Sequence, residues 1–391
     1  MSTHQPTVFN QIFSLIKCQL LPLIGQLDKL WRVFDSQSLL KVLLYAQCTW
    51  KESLREIETW LQTHNTKLYH AWLQSTARST ISYRNNKVES GLYEKLFYAL
   101  LDKYKQTFIW KDADLGIETI ALDWSIISLA LNIFDWAKYR SKKWGIRLHT
   151  WIDVSNAMPR FIYVTDAKFA ENKIAKQVIE DWNLNQWEMI VFDRYYVDFK
   201  LWKCIDEHGS YFVTRTKTNT DFVITKQHII QWTNITMDAE IELIWTQWQK
   251  YGKNLRIVRF YDTKSDREFE YITNNFELTA EQIANIYKHR WKIEVFFRWI
   301  KQNLKIKTFL WTSENAVKNQ IWVAMIYYLL VRYIAESAKL WVKQLLKLTR
   351  IIAEKCFSSL VLSELQVLCR SKNWRCMSEN SPPIGGLFSI N

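Results

Sequence analysis

Glycine is almost missing from this chain, with 8 residues in 391, while tryptophan reaches 21. Proline is scarcer still at 5, so neither a collagen-like repeat nor a Pro/Gly-rich disordered tract is available. The 6 cysteines (Cys18, Cys48, Cys204, Cys356, Cys369 and Cys376) form no C-x-x-C pair. Such scatter indicates neither a zinc site nor a disulfide framework, and reduced thiols in a cytoplasm are the simplest expectation. Long apolar runs are lacking too. The longest, Ile321 to Val331, is about half of what a bilayer span requires, which excludes an integral membrane protein. The N-terminal MSTHQPTVFNQIF has no basic stretch leading into an apolar segment and cleavage site, so secretion is not expected.

What is present is apolar residues and positive charge. Hydrophobic residues make up 48% of the chain, ample for real cores, and the length allows two or three domains. The net charge of +13 favours an anionic partner, either nucleic acid or an acidic membrane surface.

The periodicity changes along the chain. To about residue 110, QIFSLIKCQLLPLIGQL, SLLKVLLYAQC, KESLREIETWLQ and SGLYEKLFYALLDKY carry apolar positions three and four apart, which predicts an all-α N-terminal domain. Within it, ARSTISYRNNKVES reads as a helix with a Ser or Thr cap bearing Arg84, Asn85 and Lys87. A helix-turn-helix placing it in a DNA groove and a plain helical cap are both open. From about 118, ETIALDWS, GIRLHTWIDV, PRFIYVTDA, EMIVFDR and YFVTRTK read as strands with helices after the third and fourth. That order predicts an α/β, ribonuclease H-like core. DFVITKQHII, AEIELIWTQW, NLRIVRFYD and REFEYITNN predict a β-rich insertion at about 211–275, within a catalytic domain at 118–330. Helices return over 331–391, ending in SENSPPIGGLFSIN, a loose tail.

One predicted helix, ANIYKHRWKIEVFFRWIKQNLKI, carries Tyr287, Arg290, Glu294 and Lys301. At roughly 100° per residue the four fall within about 60° of arc. Ile293, Phe296, Phe297, Ile300 and Leu304 make a separate apolar surface. A carboxylate, a guanidinium, an ammonium and a phenol on one stripe suit a metal ion beside a phosphate. The bland alternative is a water-facing row of ion pairs on a core helix.

Carboxylates elsewhere weigh against the bland alternative. Asp123 follows the apolar run TIAL and Asp193 follows MIVF, so two independent strands end in Asp, and in a ribonuclease H-like sheet those strands are neighbours. Asp153 and Asp166 end strands placed farther away, and Asp198 begins a helix as a cap. His149 and His289 are assigned no role, because a lone histidine is more often structural.

The Tyr287, Arg290, Glu294, Lys301 spacing resembles the signature of the DDE transposases of the insertion sequence 4 family. The resemblance extends to RWKIEVFFRWIKQNLKIKTF, TSENAVKNQIW, LFYALLDKY, FDWAKYRSKK, IRLHTWIDV, VFDRYYVDF and YITNNFEL, covering residues 5 to 335. It implies that Asp123, Asp193 and Glu294 are the catalytic, metal-holding triad. It implies further that Tyr287, Arg290 and Lys301 contact phosphate, with Arg offering a fork and Lys a point charge. The implied cofactor is Mg2+, with Mn2+ able to substitute, as two ions about 3.5–4 Å apart on hard oxygen ligands. The implied partners are DNA, both the element's terminal inverted repeats and target DNA, and a second copy of the chain, with no membrane. The implied location is the cytoplasm, associated with the nucleoid. A catalytically inactive DNA-binding remnant and a nuclease without strand transfer are the rival functions. One departure stands out: Arg194 is followed by Tyr195, where family members commonly have Gly.

The same resemblance bears on the missing glycine. Glycine and tryptophan together amount to what glycine alone supplies in an average chain, about 7%. Trp124, Trp144, Trp151 and Trp311 stand where a turn or close backbone approach is expected, which suggests UGA codons that the host reads as glycine. Trp136, Trp291 and Trp322 fit the family pattern as tryptophan. Real aromatics that fill cores or stack on bases are the competing account.

Overall fold

The computed structural model describes residues 6–24, 34–68, 73–107, 115–129, 138–140, 143–166, 171–181, 186–196, 198–217, 220–230, 234–244, 251–303, 311, 313–340 and 344–370. Trp136, Leu304, Cys376 and the SENSPPIGGLFSIN segment lie outside these, as does the side chain of Trp144. The chain divides into two compact units, residues 105–302 and residues 1–104 with 303–391.

The described part of the second unit is helical: α1 (Val8–Ile24), α2 (Ser36–Cys48), α3 (Leu54–Thr63), α4 (Asn65–Leu68), α5 (Arg78–Lys87) and α6 (Ser90–Thr107) precede the sheet unit in sequence. The expected separation of the C-terminal helices at 331 is not what the packing gives. The long apolar helix Glu314–Ser337 packs with the N-terminal helices, where Asn319 Nδ2 donates to the carbonyls of Asn85 and Val88 at 3.0 and 2.9 Å. Among the described residues no helix is long and apolar enough to cross a membrane.

Of the two readings left open for helix α5, the structure departs from the DNA-reading one in two ways. Its N-cap is Ala77, with no side-chain cap bond, so the Ser/Thr cap is absent. Arg84 and Asn85 turn inward: Arg84 is 4% exposed and donates to the Phe34 carbonyl and Ser36 Oγ, and Asn85 is fully buried. Polar side chains read as a groove-facing surface are therefore interior fasteners, and only Arg78, Ser79, Thr80, Tyr83, Asn86 and Lys87 of this helix are exposed.

The sheet unit is built on one ten-stranded sheet. In chain order its strands are β1 (Thr119–Leu129), β2 (Lys138–Arg140), β3 (Lys143–Asp153), β4 (Pro159–Asp166), β5 (Met189–Phe192), β6 (Tyr211–Arg215), β7 (Phe222–Gln227), β8 (Ile235–Leu243), β9 (Leu255–Asp262) and β10 (Arg267–Thr273). The order is β2-β3-β1-β5-β6-β10-β9-β8-β7, with β4 beside β3. β1, β5 and β6 run parallel, and the remaining pairs are antiparallel. Strand β5 is MIVF with every residue buried, as a central parallel strand covered on both faces requires. Helices α7 (Glu171–Asp181) and α8 (Phe199–Glu207) form the connections on either side of β5.

The β-rich insertion is not a separate layer. β10 pairs with β6 over Thr273↔Val213 to Tyr271↔Arg215, so the inserted strands extend the core sheet edgewise. Its outer strand β7 is largely exposed, which suits an edge carrying Thr225 and Lys226. The insertion also fixes the next helix. Arg256 forms a buried two-pronged pair with Asp238 at 2.8 and 2.7 Å and donates to the Leu278 carbonyl at 2.6 Å, one residue before the cap Thr279. Thr279 and Gln282 close a capping box that starts α9 (Ala280–His289).

Candidate active site

Asp123 does not end its strand, as the sequence suggested; β1 continues to Leu129. What ends at this level is the parallel pairing: Leu122↔Phe192 is the last register pair between β1 and β5, and β5 stops there. β1 continues because β3 still pairs with it on the other side. Asp123 and Asp193 thus follow directly from paired neighbours on adjacent strands. Each carboxylate is held by a local amide: Asp123 Oδ1 accepts from Trp124 N at 2.8 Å and Asp193 Oδ1 from Arg194 N at 2.6 Å.

The predicted single helix is interrupted. α9 ends at His289, Arg290 is its C-cap, and α10 runs Trp291–Asn303. Arg290 keeps helical dihedrals (φ −49, ψ −32), and the junction tightens by bonds from Arg290 N to the Tyr287 carbonyl and from Ile293 N to the Arg290 carbonyl, each 3.0 Å. The apolar surface is as expected: Ile293, Phe296, Phe297 and Ile300 are all buried.

Arg290 joins the elements. Its guanidinium lies 2.7 Å from Glu294 Oε1 and 3.8 Å from Asp123 Oδ2. The Asp123 carboxyl is pushed up from 3.8 to about 6, first by burial and then by the negative charges of Asp193 and Glu294, against the pull of the Trp124 amide and Arg290. Burial works against the Arg290 charge, yet Tyr287, Asp193, Glu294 and Asp123 outweigh it and hold the guanidinium above its ordinary value. Tyr287 is buried, with its hydroxyl raised mainly by that burial, and Arg290 sits 5.7 Å from its ring centroid. Lys301 is half-buried two turns further along α10.

Among the described residues no group of three or more His, Cys, Asp or Glu stands in metal-holding geometry. Asp123, Asp193 and Glu294 share one electrostatic environment, with Arg290 between two of them. The chemistry of the donor set fits a divalent cation: three carboxylates whose mutual repulsion, together with burial, raises one of them. Arg290 Nε is also buried with no acceptor.

The rival carboxylates take structural places. Asp153 pairs with Ile120 at the opposite end of β1 and accepts from Ser155 N, Asp166 ends β4 on the far side of β3, and Asp198 caps α8 through Lys200 N at 2.9 Å. His149 is buried against Thr165 Oγ1, and His289 contacts the Asn285 carbonyl. Tyr195 is 59% exposed with its ring 5.9 Å from that of Trp124, whose face carries the Arg147 guanidinium at 4.5 Å.

Arg215 was missed in the sequence. Phe192↔Thr214 is the last register pair between β5 and β6, so Asp193 and Arg215 are next in line on neighbouring strands. The Arg215 guanidinium stacks over Phe269 at 4.3 Å and lies 5.9 Å from the Tyr287 ring, leaving that phenol flanked by two guanidiniums. Aligning the ends of MIVF-D and FVT-R would have exposed it.

The Transposase DDE domain family matches residues 114–330, which contain every one of these site residues. The chain belongs to the DDE transposase family. A domain of unknown function, DUF4372, matches residues 4–73. A transposase designated y4zB from Sinorhizobium fredii is 32% identical over 51% of this chain, a span of 56% of that relative's length. The transposase for insertion sequence element IS5377 of Geobacillus stearothermophilus is 29% identical over 67% of this chain and 68% of its own length. The one for IS4SA of Synechocystis is 26% identical over 71% and 78%. These insertion-sequence relatives place the DDE transposase with the insertion sequence 4-like group. A piggyBac transposase in a synaptic complex with hairpin DNA covers 96% of this chain and 84% of its own at 10% identity and TM-score 0.45, a likeness too weak to carry an argument.

Proposed function

We propose that this DDE transposase binds the terminal inverted repeats of its own element, cuts at their ends and joins the 3′-hydroxyls to target DNA. It does so through a ribonuclease H-like core and as a homodimer on paired ends. The observation that carries the reading is the meeting of Asp123 and Asp193 at the ends of parallel-paired segments, with Arg290 linking Asp123 to Glu294. The β4-β3-β1-β5-β6 order, with only the last three parallel, supports the assignment of the core.

Asp123, Asp193 and Glu294 would hold the divalent ions, which when bound neutralise charge on the attacking and leaving oxygens of a phosphodiester. Arg290, whose guanidinium already faces Asp123 and Glu294, would offer its fork to a phosphate oxygen at the same site. Tyr287 supports that guanidinium from the side, and Lys301 adds a point charge further along the backbone track. Arg215 is a second fork beside Asp193. Its replacement by Ala is expected to lower cleavage about 10–100-fold, as loss of a charged hydrogen bond implies, while end binding changes less. Lys at 215 restores part of this, and equal loss of binding and cleavage would argue for a merely structural Arg215.

A non-cleaving remnant is the second reading, favoured by Tyr195 and Trp124, whose rings meet beside Asp123. Labelled element ends mixed with a supercoiled target plasmid and Mg2+ separate the two. Joined products with the natural chain, lost in Glu294→Ala while the shifted protein–DNA band persists, support the transposase. A shifted band and no joined or cut DNA with either protein supports the remnant. Binding in either case should weaken steeply with salt, because Lys and Arg release counterions from DNA.

A further inference from the structure

We infer that the natural protein carries glycine, not tryptophan, at positions 50 and 187, each encoded by a UGA codon that the host reads as glycine. Five described non-glycine residues have positive φ: Trp50 (56°), Ala157, Trp187 (73°), Asp266 and Lys339. Two of the five belong to the bulkiest residue type, for which a left-handed backbone is a genuine outlier. Three glycines, Gly116, Gly209 and Gly252, take the same conformation at φ 72°, 80° and 83°.

The hydrogen bonding around Trp50 names the residue that belongs there. At the C-terminus of α2, Thr49 N donates to the Tyr45 carbonyl and Lys51 N reaches back to the Ala46 carbonyl at 3.0 Å. That second, six-to-one bond closes a Schellman motif, whose left-handed position is Trp50 and is usually glycine. The indole there satisfies nothing, since its Nε1 is buried without an acceptor. An orphaned indole does not suffice alone, because Trp202 shares it while stacking on Phe212 in the core.

Trp187 occupies the turn entering β5, where its N–H bonds the carbonyl of the left-handed Gly209 at 2.9 Å. Its ring is 65% exposed. Glycine adopts that backbone without a Cβ clash. None of Trp124, Trp144, Trp151 and Trp311, expected as glycines from their sequence surroundings, is in the positive-φ set, and Trp151 and Trp311 are buried, so backbone conformation makes no demand for glycine there.

Two readouts test the inference. The element's DNA should show TGA at codons 50 and 187, and peptides of the protein from its own host should carry glycine at both. TGG at either codon, or tryptophan in either peptide, overturns it. In the chain as written here, Trp50→Gly and Trp187→Gly should each raise the melting temperature by about 2–4 °C. Trp202→Gly, which empties a core position, should lower it. Lower melting temperatures for both of the first two variants would contradict the backbone reading.

Discussion

Asp123→Asn is expected to stabilise the metal-free protein at pH 7.5 while abolishing cleavage. The folded state raises this carboxyl from 3.8 to about 6, so it binds its proton more tightly folded than unfolded. Stability from this group is therefore complete below about pH 3.8 and is lost as pH rises to about 6. Above that, the buried charge costs up to about 3 kcal/mol, which asparagine avoids. Melting curves of the two proteins should coincide near pH 3.5 and separate by pH 7.5, with the variant higher. Cleavage should fall by about 1,000-fold or more, since in the proposed role of Asp123 as a metal ligand several kcal/mol of charge stabilisation pass through its carboxylate. A stability gain that persists at pH 3.5 would assign the effect to packing instead.

Arg290→Ala should do the opposite to stability and the same to activity. It leaves the 20%-exposed Asp123 carboxylate without its cation and removes the fork proposed above to grip phosphate. Leaving a buried charged group unsatisfied costs about 1–3 kcal/mol. The Glu294 side of the bridge adds little, because that carboxylate is 41% exposed and screened. Cleavage should fall about 100–1,000-fold. Lysine should not rescue it, because a point charge replaces a planar fork. Removing a charge that pulls the Asp123 carboxyl down should also move its titration above about pH 6. In the Asp123→Asn/Arg290→Ala double variant the destabilisation should be less than additive, and strict additivity would mean the two do not interact.

The candidate site was legible in the sequence to the extent that local pattern encodes it. MIVF followed by Asp193 reads as a buried strand with a polar end, and β5 is the parallel neighbour of β1, in register as far as Leu122↔Phe192. The Tyr287–Arg290–Glu294 spacing survives the break at Arg290 because that residue keeps helical dihedrals; nothing in KHRWK, with no Gly or Pro, signals the interruption. Arg215 was invisible because a lone arginine gains meaning only from the register of two strands. Arg84 and Asn85 stayed undecided between a DNA-groove helix and a helical cap for a related reason: the groups that bury them, Phe34, Ser36 and Asn319, are far away in sequence. Asp123 looked like a strand end because TIALDWS loses its apolar run there, while β3 keeps the strand going.

The central claim is that Asp123, Asp193 and Glu294 together hold divalent ions, and metal-directed cleavage of the polypeptide tests it most directly. Fe2+ would replace Mg2+ on the protein bound to element-end DNA, and ascorbate with peroxide would generate hydroxyl radicals at the ion. The account predicts backbone cuts clustered around residues 123, 193 and 294, suppressed by excess Mg2+ and absent in Asp193→Asn. Cuts confined to other segments, or unchanged by that substitution, would contradict it.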